Sequence, residues 1–155
     1  MLTIMKVQSK DSKAIRQLSV IEEQLPFVGR IEDILAAGGI DDHFHIICDE
    51  NDVVGFFNID LGFHKKMDNL SEQDLGLRSF FIDKNFQGRG YGLKAVMLFK
   101  DYLQENYCSF SAMALTVNCK NIPAIRCYEK GGFEDTDKLY LGGLAGPQHV
   151  MRLEY

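Results

Sequence analysis

The chain has 155 residues, 46% of them hydrophobic and 25% charged, which excludes a disordered or collagenous protein and suits a folded chain built around one core. Its 22 acidic and 17 basic side chains leave a net charge of −5 with no block of like charge, which disfavours a nucleic-acid partner, since phosphate binding normally needs a basic face. A cationic small partner suits that balance better. No run reaches the length of a bilayer span, and the apolar part of MLTIMKVQSKDSKAIRQL is too short and too interrupted by lysine for a signal peptide. A cytoplasmic protein without membrane contact is expected.

In chain order, LTIMKV alternates as a short strand, and SKDSKAIRQLSVIEEQ reads as a helix capped by Ser9 or Asp11 with Ile15, Leu18 and Ile21 on one apolar face. GRIEDILAAGG reads as a second short helix ended by Gly38 and Gly39. Two β-rich runs around the polar cluster DEND, in FHIICDENDVVGFFNIDLG, predict an antiparallel hairpin, and LGLRSFFID is a further strand. From Tyr91 to Tyr107, Leu93, Val96, Met97 and Leu103 recur at helical spacing, with Lys94, Asp101 and Glu105 facing outward. AMALTV is again a strand. NIPAIRCYEKGGF is a helix with Asn121 near its cap, Pro123 in its first turn and Gly131 and Gly132 past its end. The tail, EDTDKLYLGGLAGPQHVMRLEY, predicts two strands around a glycine-rich turn. No repeat or linker divides the chain, so residues 1–155 read as a single domain of mixed α+β layers.

The four cysteines, at 48, 108, 119 and 127, lack the close spacing of a zinc or redox motif and read as reduced core thiols. His43 and His45 share a face of one strand, but no four-ligand set accompanies them, so they read as structural and no metal is expected.

The densest signal is DKNFQGRGYGLKAV, where glycines at 88, 90 and 92 run directly into a helix. The first N–H groups of a helix have no intrahelical acceptor and attract anions, and glycines remove the Cβ atoms that would hold a phosphate away from them. Gln87 and Arg89 add side-chain donors. The same glycines would also serve a turn that only lets the helix pack close to the sheet. A P-loop is excluded because Leu93 and Lys94, not Lys and Ser or Thr, follow Gly92. A dinucleotide fingerprint is formally present as Gly90, Gly92 and Ala95, but the acid it needs at the end of the next strand is missing from SAMALTVN.

A third pattern covers more of the chain. QGRGYG matches the [Q/R]-x-x-G-x-[G/A] acetyl-CoA motif, and LTVNCKNIPAIRCYEKGGF resembles the strand and helix that follow it in the GCN5-related N-acetyltransferase (GNAT) family. LRSFFIDKNFQGRGYGLKAVMLF is similar to that family's fourth strand, pyrophosphate loop and third helix. The resemblance implies a mostly antiparallel sheet of about six or seven strands flanked by about four helices, with strands four and five splayed apart. It also implies a transferase that moves the acetyl group of acetyl-CoA, its co-substrate, to a primary amine of a small molecule or peptide by direct attack in a ternary complex. A non-catalytic acetyl-CoA-binding sensor on the same fold is the alternative. A homodimer is compatible with either.

By the same resemblance, the backbone of Phe80, Phe81 and Ile82 pairs with the pantetheine arm, and the amides of Gln87, Gly88, Arg89, Gly90, Tyr91, Gly92 and Leu93 hold the pyrophosphate. Asn121 bonds the arm from the other side, and Tyr128 is the acid that protonates the leaving thiolate. The glutamates that many relatives use as general base fall here at Gly76 and Thr116, so that work passes through water to a backbone carbonyl or to Asp60, His64, Asp74 or His149. Glu22, Glu23, Glu32 and Asp33 would attract a cationic acceptor or simply face solvent.

Overall fold

A computed structural model describes residues 1–155. One sheet takes seven strands in the order β1-β2-β3-β4-β5-β7-β6. These are β1 Leu2–Lys6, β2 Asp42–Asp49, β3 Asp52–Asp60, β4 Asp74–Ile82, β5 Ala112–Asn118, β6 Glu134–Tyr140 and β7 Gln148–Glu154. Five helices accompany it: α1 Ser12–Arg16, α2 Leu25–Val28, α3 Ile31–Ala36, α4 Tyr91–Asn106 and α5 Ile122–Lys130. The architecture is the mixed, mostly antiparallel one expected from the sequence, with one more short helix than anticipated.

Only β4 and β5 run parallel, because the long helix α4 joins them and a parallel pair requires such a crossover. The sheet is covered on both faces. On one, Phe57, Ile59, Leu75, Leu115 and Met151 pack with Val96, Phe99 and Leu103 of α4; on the other, Ile46, Phe56 and Phe81 pack with Ile15, Leu18 and Ile31. Burial on both sides explains why β3 reads as a nearly continuous apolar run instead of an alternating one.

The expected helix from Ser9 to Gln24 is broken. After α1 the chain is tied to the end of β4: Ser19 N donates to the Asp83 carboxylate at 2.8 Å and Lys84 N donates to Ser19 O at 2.7 Å. Helical bonds cannot continue through residues committed this way, and Ile21 ends up 42% exposed. Met97 is likewise 63% exposed, since it lies on the side of α4 opposite Ala95 and Phe99, which set the packed face. The first turn is capped at Gln8 and not by Ser9 or Asp11; Asp11, at its third position, accepts from Gln8 N at 2.8 Å and makes no side-chain cap bond to α1. Of the four thiols, all unbonded, Cys48 is buried but Cys108 is exposed, so the reading of them all as core residues fails there. His45 is fully buried, with Nε2 2.7 Å from the Tyr102 hydroxyl and Nδ1 2.7 Å from His43 O, while His43 Nδ1 meets the Tyr107 hydroxyl at 2.8 Å. Both rings are structural.

The feature that positions the site is the parting of β4 from β5. They pair only at Asp74–Ala112, Leu75–Met113 and Gly76–Ala114, although β4 continues to Ile82 and β5 to Asn118. Between Phe56 and Asn58 the β3 register shifts, so that three β3 residues face the four from Arg78 to Phe81, and Ser79 takes a φ of 54°. A bulge of this kind bends its strand, and here it carries β4 away while β5 stays in a seven-pair ladder with β7.

Candidate active site

The loop after β4 is built on Asp83, a carboxylate 3% exposed that accepts from Ser19 N at 2.8 Å and Asn85 N at 3.1 Å. An acid at the first position after a strand is the local signal of such a turn, and it went unread in the sequence. Gln87 closes the other side of the loop, its side-chain amide donating to Ile82 O at 2.9 Å and to Gln24 Oε1 at 2.8 Å. Its side chain is thereby committed within the protein, contrary to the expectation of a free phosphate donor. Arg89 stacks its guanidinium over Phe86 at 5.3 Å.

Gly88 and Gly90 both have a φ of 79°, which glycine adopts without the cost other residues incur. Gly90 precedes α4, and the first helical bond runs from Lys94 N to its carbonyl at 3.1 Å. The N–H groups of Tyr91, Gly92 and Leu93 therefore have no acceptor within the helix, at the positive end of its dipole. Gly92 lacks a positive φ, and a Cβ there would lie 3.9 Å from Cys127 Sγ and 3.9 Å from Ile82 Cγ1, in ordinary contact. The fold does not require that glycine, since a Cβ there would fit without displacing a neighbour. Tyr91 fastens the helix start to the β2 end by donating its hydroxyl to Asp49.

Between the parted strands lie two adjoining cavities. One, of about 300 Å³, is lined by Phe80, Phe81, Ile82, Gln87, Gly88, Gly90, Tyr91, Gly92 and Asn121 of the expected cofactor set, together with Phe86, Pro123 and Cys127. Arg89 and Leu93, expected in the same set, are not on its wall. The other, of about 370 Å³, opens toward the last hairpin and is lined by Phe63, Lys66, Met67, Arg78, Thr116, Asn118, Tyr140 and Gln148 among others. Phe27, Val28, Phe80, Asn121, Ala124 and Tyr128 belong to both walls. Phe27, Lys66 and Gln148 lie outside the motif segments, Arg78 lies at the start of one, and only the fold brings the four together.

Asn121 accepts from Ala124 N at 3.4 Å through Oδ1, a helix cap that leaves its amide N–H groups free to face the cavities. Tyr128, in the second turn of α5, is held by Phe80 at 6.1 Å and Phe133 at 5.6 Å between ring centroids. Its hydroxyl makes no hydrogen bond within the protein, and burial pushes its pKa well above the usual phenol range. At neutral pH it is a proton donor and not a base.

None of the four side chains considered for the base reaches these walls. Asp60 is fully buried and tied to Gly62 N, Lys66 and Arg78; Asp74 is 2.9 Å from Arg152 Nε; His149 Nδ1 is 3.3 Å from the Asp135 carboxylate. His64 lines neither cavity. A carboxylate at position 76 is also sterically precluded, because a Cβ on Gly76 would overlap the Cβ and ring of Phe63. Glu22 and Glu32 line a separate cavity beside α3 with Arg30 and Lys84. No helix is long and apolar enough to cross a membrane.

Residues 13–133 match the family model described as the acetyltransferase (GNAT) family. Over 145 residues, 92% of this chain and 93% of the relative, the sequence is 29% identical to a probable spermine N(1)-acetyltransferase of Bacillus subtilis subsp. natto (strain BEST195). It is 28% identical to the spermine/spermidine N(1)-acetyltransferase of Bacillus subtilis (strain 168), again with 92% and 93% coverage. The fold superposes on AAC(6')-Ib solved with paromomycin and acetyl-CoA at a TM-score of 0.75, with 17% identity, 99% of this chain and 93% of that one covered. The spermidine N-acetyltransferase from Vibrio cholerae, solved with CoA and spermine, aligns at a TM-score of 0.71 with 14% identity and coverage of 99% and 95%.

Proposed function

Because the chain belongs to the acetyltransferase (GNAT) family, an enzyme family whose co-substrate is acetyl-CoA, we propose that it acetylates a primary amine of a small molecule or peptide in a ternary complex centred on Tyr128. The observation that carries this reading is the meeting of two cavities at one unpartnered phenol. The glycine loop borders one, which suits the coenzyme, and the open hairpin side borders the other, which suits the acceptor.

The residues present fit the coenzyme. Bare N–H groups at Tyr91, Gly92 and Leu93 suit a diphosphate, and the β4 edge from Leu77 to Ile82 lacks a neighbouring strand, so its backbone groups suit an amide-bearing arm. When bound, acetyl-CoA supplies the acetyl group as a reactive thioester. The protein's own part is to align the amine, exclude water and deliver a proton. As the new N–C bond forms and the C–S bond breaks, Tyr128 gives its phenolic proton to the departing sulfur and is reprotonated from solvent. The nitrogen loses its extra proton to water, because no carboxylate or imidazole borders the acceptor cavity. Holding both reactants in one cleft replaces a bimolecular encounter and supplies much of the rate.

The test is calorimetry with coenzyme A followed by a free-thiol assay on a panel of amines with acetyl-CoA. Coenzyme binding and amine-dependent thiol release are expected. Binding without thiol release from any amine would leave a coenzyme-binding module and refute the enzymatic assignment of this cleft.

A further inference from the structure

The acceptor cavity has an electrostatic character that the amine-acetylating role does not explain. Its wall contains two cations, Lys66 and Arg78, and no Asp or Glu. The acids near those cations are turned away from it. Asp60, with no exposed surface, accepts Gly62 N through Oδ1 at 2.8 Å and, through Oδ2, Lys66 Nζ at 2.7 Å and Arg78 Nη1 at 3.3 Å. Asp42, also within the field of both cations, is held by Gly39 N and Asn58 Nδ2, each at 2.8 Å. At this part of the wall the cavity therefore meets two cationic donors and no carboxylate. The Arg78 and Lys66 side chains remain 45% and 53% exposed, and the contact to Asp60 is Arg78's only ion pair, which leaves most of its five N–H donors unused.

A polyamine, with several positive charges and no anionic group, finds no carboxylate on this wall and meets two like charges. An amine that also bears an anion can pair with them. We propose that Arg78 and Lys66 form an anion subsite in the acceptor cavity, positioned from beneath by Asp60, and that the acetylated amine carries a carboxylate. This rests on the acetyl-transfer reading of the cleft. A carboxylate matches the two-point edge of a guanidinium. Phe27, Val28, Phe63, Met67 and Leu77 give the same wall an apolar part beside the polar Thr116, Asn118 and Gln148, and that part suits a free amino acid with an apolar side chain.

The experiment compares matched amines that differ only by the carboxylate, phenylalanine against phenethylamine and leucine against isopentylamine, with spermidine and phosphoethanolamine alongside, by thiol release from acetyl-CoA. The carboxylate-bearing member of each pair is expected to have the higher kcat/KM by about 10- to 100-fold, the value of one charge-assisted contact. Arg78→Gln should abolish that preference with KM for acetyl-CoA unchanged, and Arg78→Lys should restore part of it. Lys66→Gln, at a more exposed position, serves if Arg78→Gln does not fold. Spermidine or the carboxylate-free amines turning over as well as the amino acids would overturn the subsite while leaving the enzyme reading intact. Preference for phosphoethanolamine would overturn the carboxylate, and a rise in KM for acetyl-CoA in Arg78→Gln would move the cations to the coenzyme. A second readout does not need turnover: in the presence of coenzyme A, calorimetry should detect N-acetylphenylalanine binding about 10-fold more tightly than N-acetylphenethylamine. Equal binding of the two would refute the subsite even if thiol release is never seen.

Discussion

Replacing Tyr128 by Phe removes one oxygen and separates the proton donor from the ring that carries it. The ring keeps its packing against Phe80 and Phe133, and the lost hydroxyl has no partner in the protein to be left unpaired. Stability should therefore change by no more than about 0.5 kcal/mol, as for a substitution that opens no cavity and orphans no group. Turnover should change far more. A positioned general acid contributes about 10²- to 10⁴-fold, which at about 1.4 kcal/mol per decade is a barrier increase of roughly 3 to 5 kcal/mol. KM for acetyl-CoA should stay within about twofold, since the contacts proposed for the coenzyme are backbone amides and do not involve this hydroxyl. Single-turnover thiol release, with melting curves as control, measures the chemical step even where product release limits kcat. Burial raises the phenol pKa above its ordinary value of 10.0, so the wild-type rate should show no alkaline fall up to that pH. A single-turnover rate for Tyr128→Phe within about twofold of the parent would remove the tyrosine from the mechanism.

Three further outcomes follow from the geometry. Gly92→Ala places a Cβ where only ordinary contacts at 3.9 Å await it, so the melting temperature should hold while KM for acetyl-CoA rises about tenfold or more; equal KM would show that this space is not used by the coenzyme. Gly76→Ala should lose about 1 to 3 kcal/mol in urea denaturation, because Phe63 already occupies the space, and an unchanged midpoint would contradict that packing. His45 has its pKa lowered from 6.5 to about 4 by burial, with His43 shifted in the same direction. The unfolded chain then binds the extra proton first, so stability is complete above about pH 6.5 and declines as pH falls toward 4. By pH 5 the His45 share of that loss is about 2 kcal/mol. Urea midpoints at pH 7 and pH 5 test this, and His45→Phe should flatten the difference; an unaltered pH dependence in that variant would assign the loss elsewhere.

The segments with a strong local rule could be read from the sequence alone. Glycines at 88 and 90 are demanded by a left-handed backbone, Asn121 and Pro123 open α5, and the apolar spacing of α4 announces a helix on a sheet; together these motifs identified the family. What local rules cannot contain is a contact between distant positions. The helix expected from Ser9 to Gln24 stops because Asp83, 64 residues away, captures Ser19 N. Phe63 fills the space above Gly76, and Lys66 and Arg78 meet only because Asp60 lies buried between a turn and a strand. The glycine loop proposed to hold the coenzyme was legible because its chemistry is carried by successive backbone amides. The cavity lined by Lys66 and Arg78 was not, because its character is the sum of side chains from separate elements that only the fold brings together.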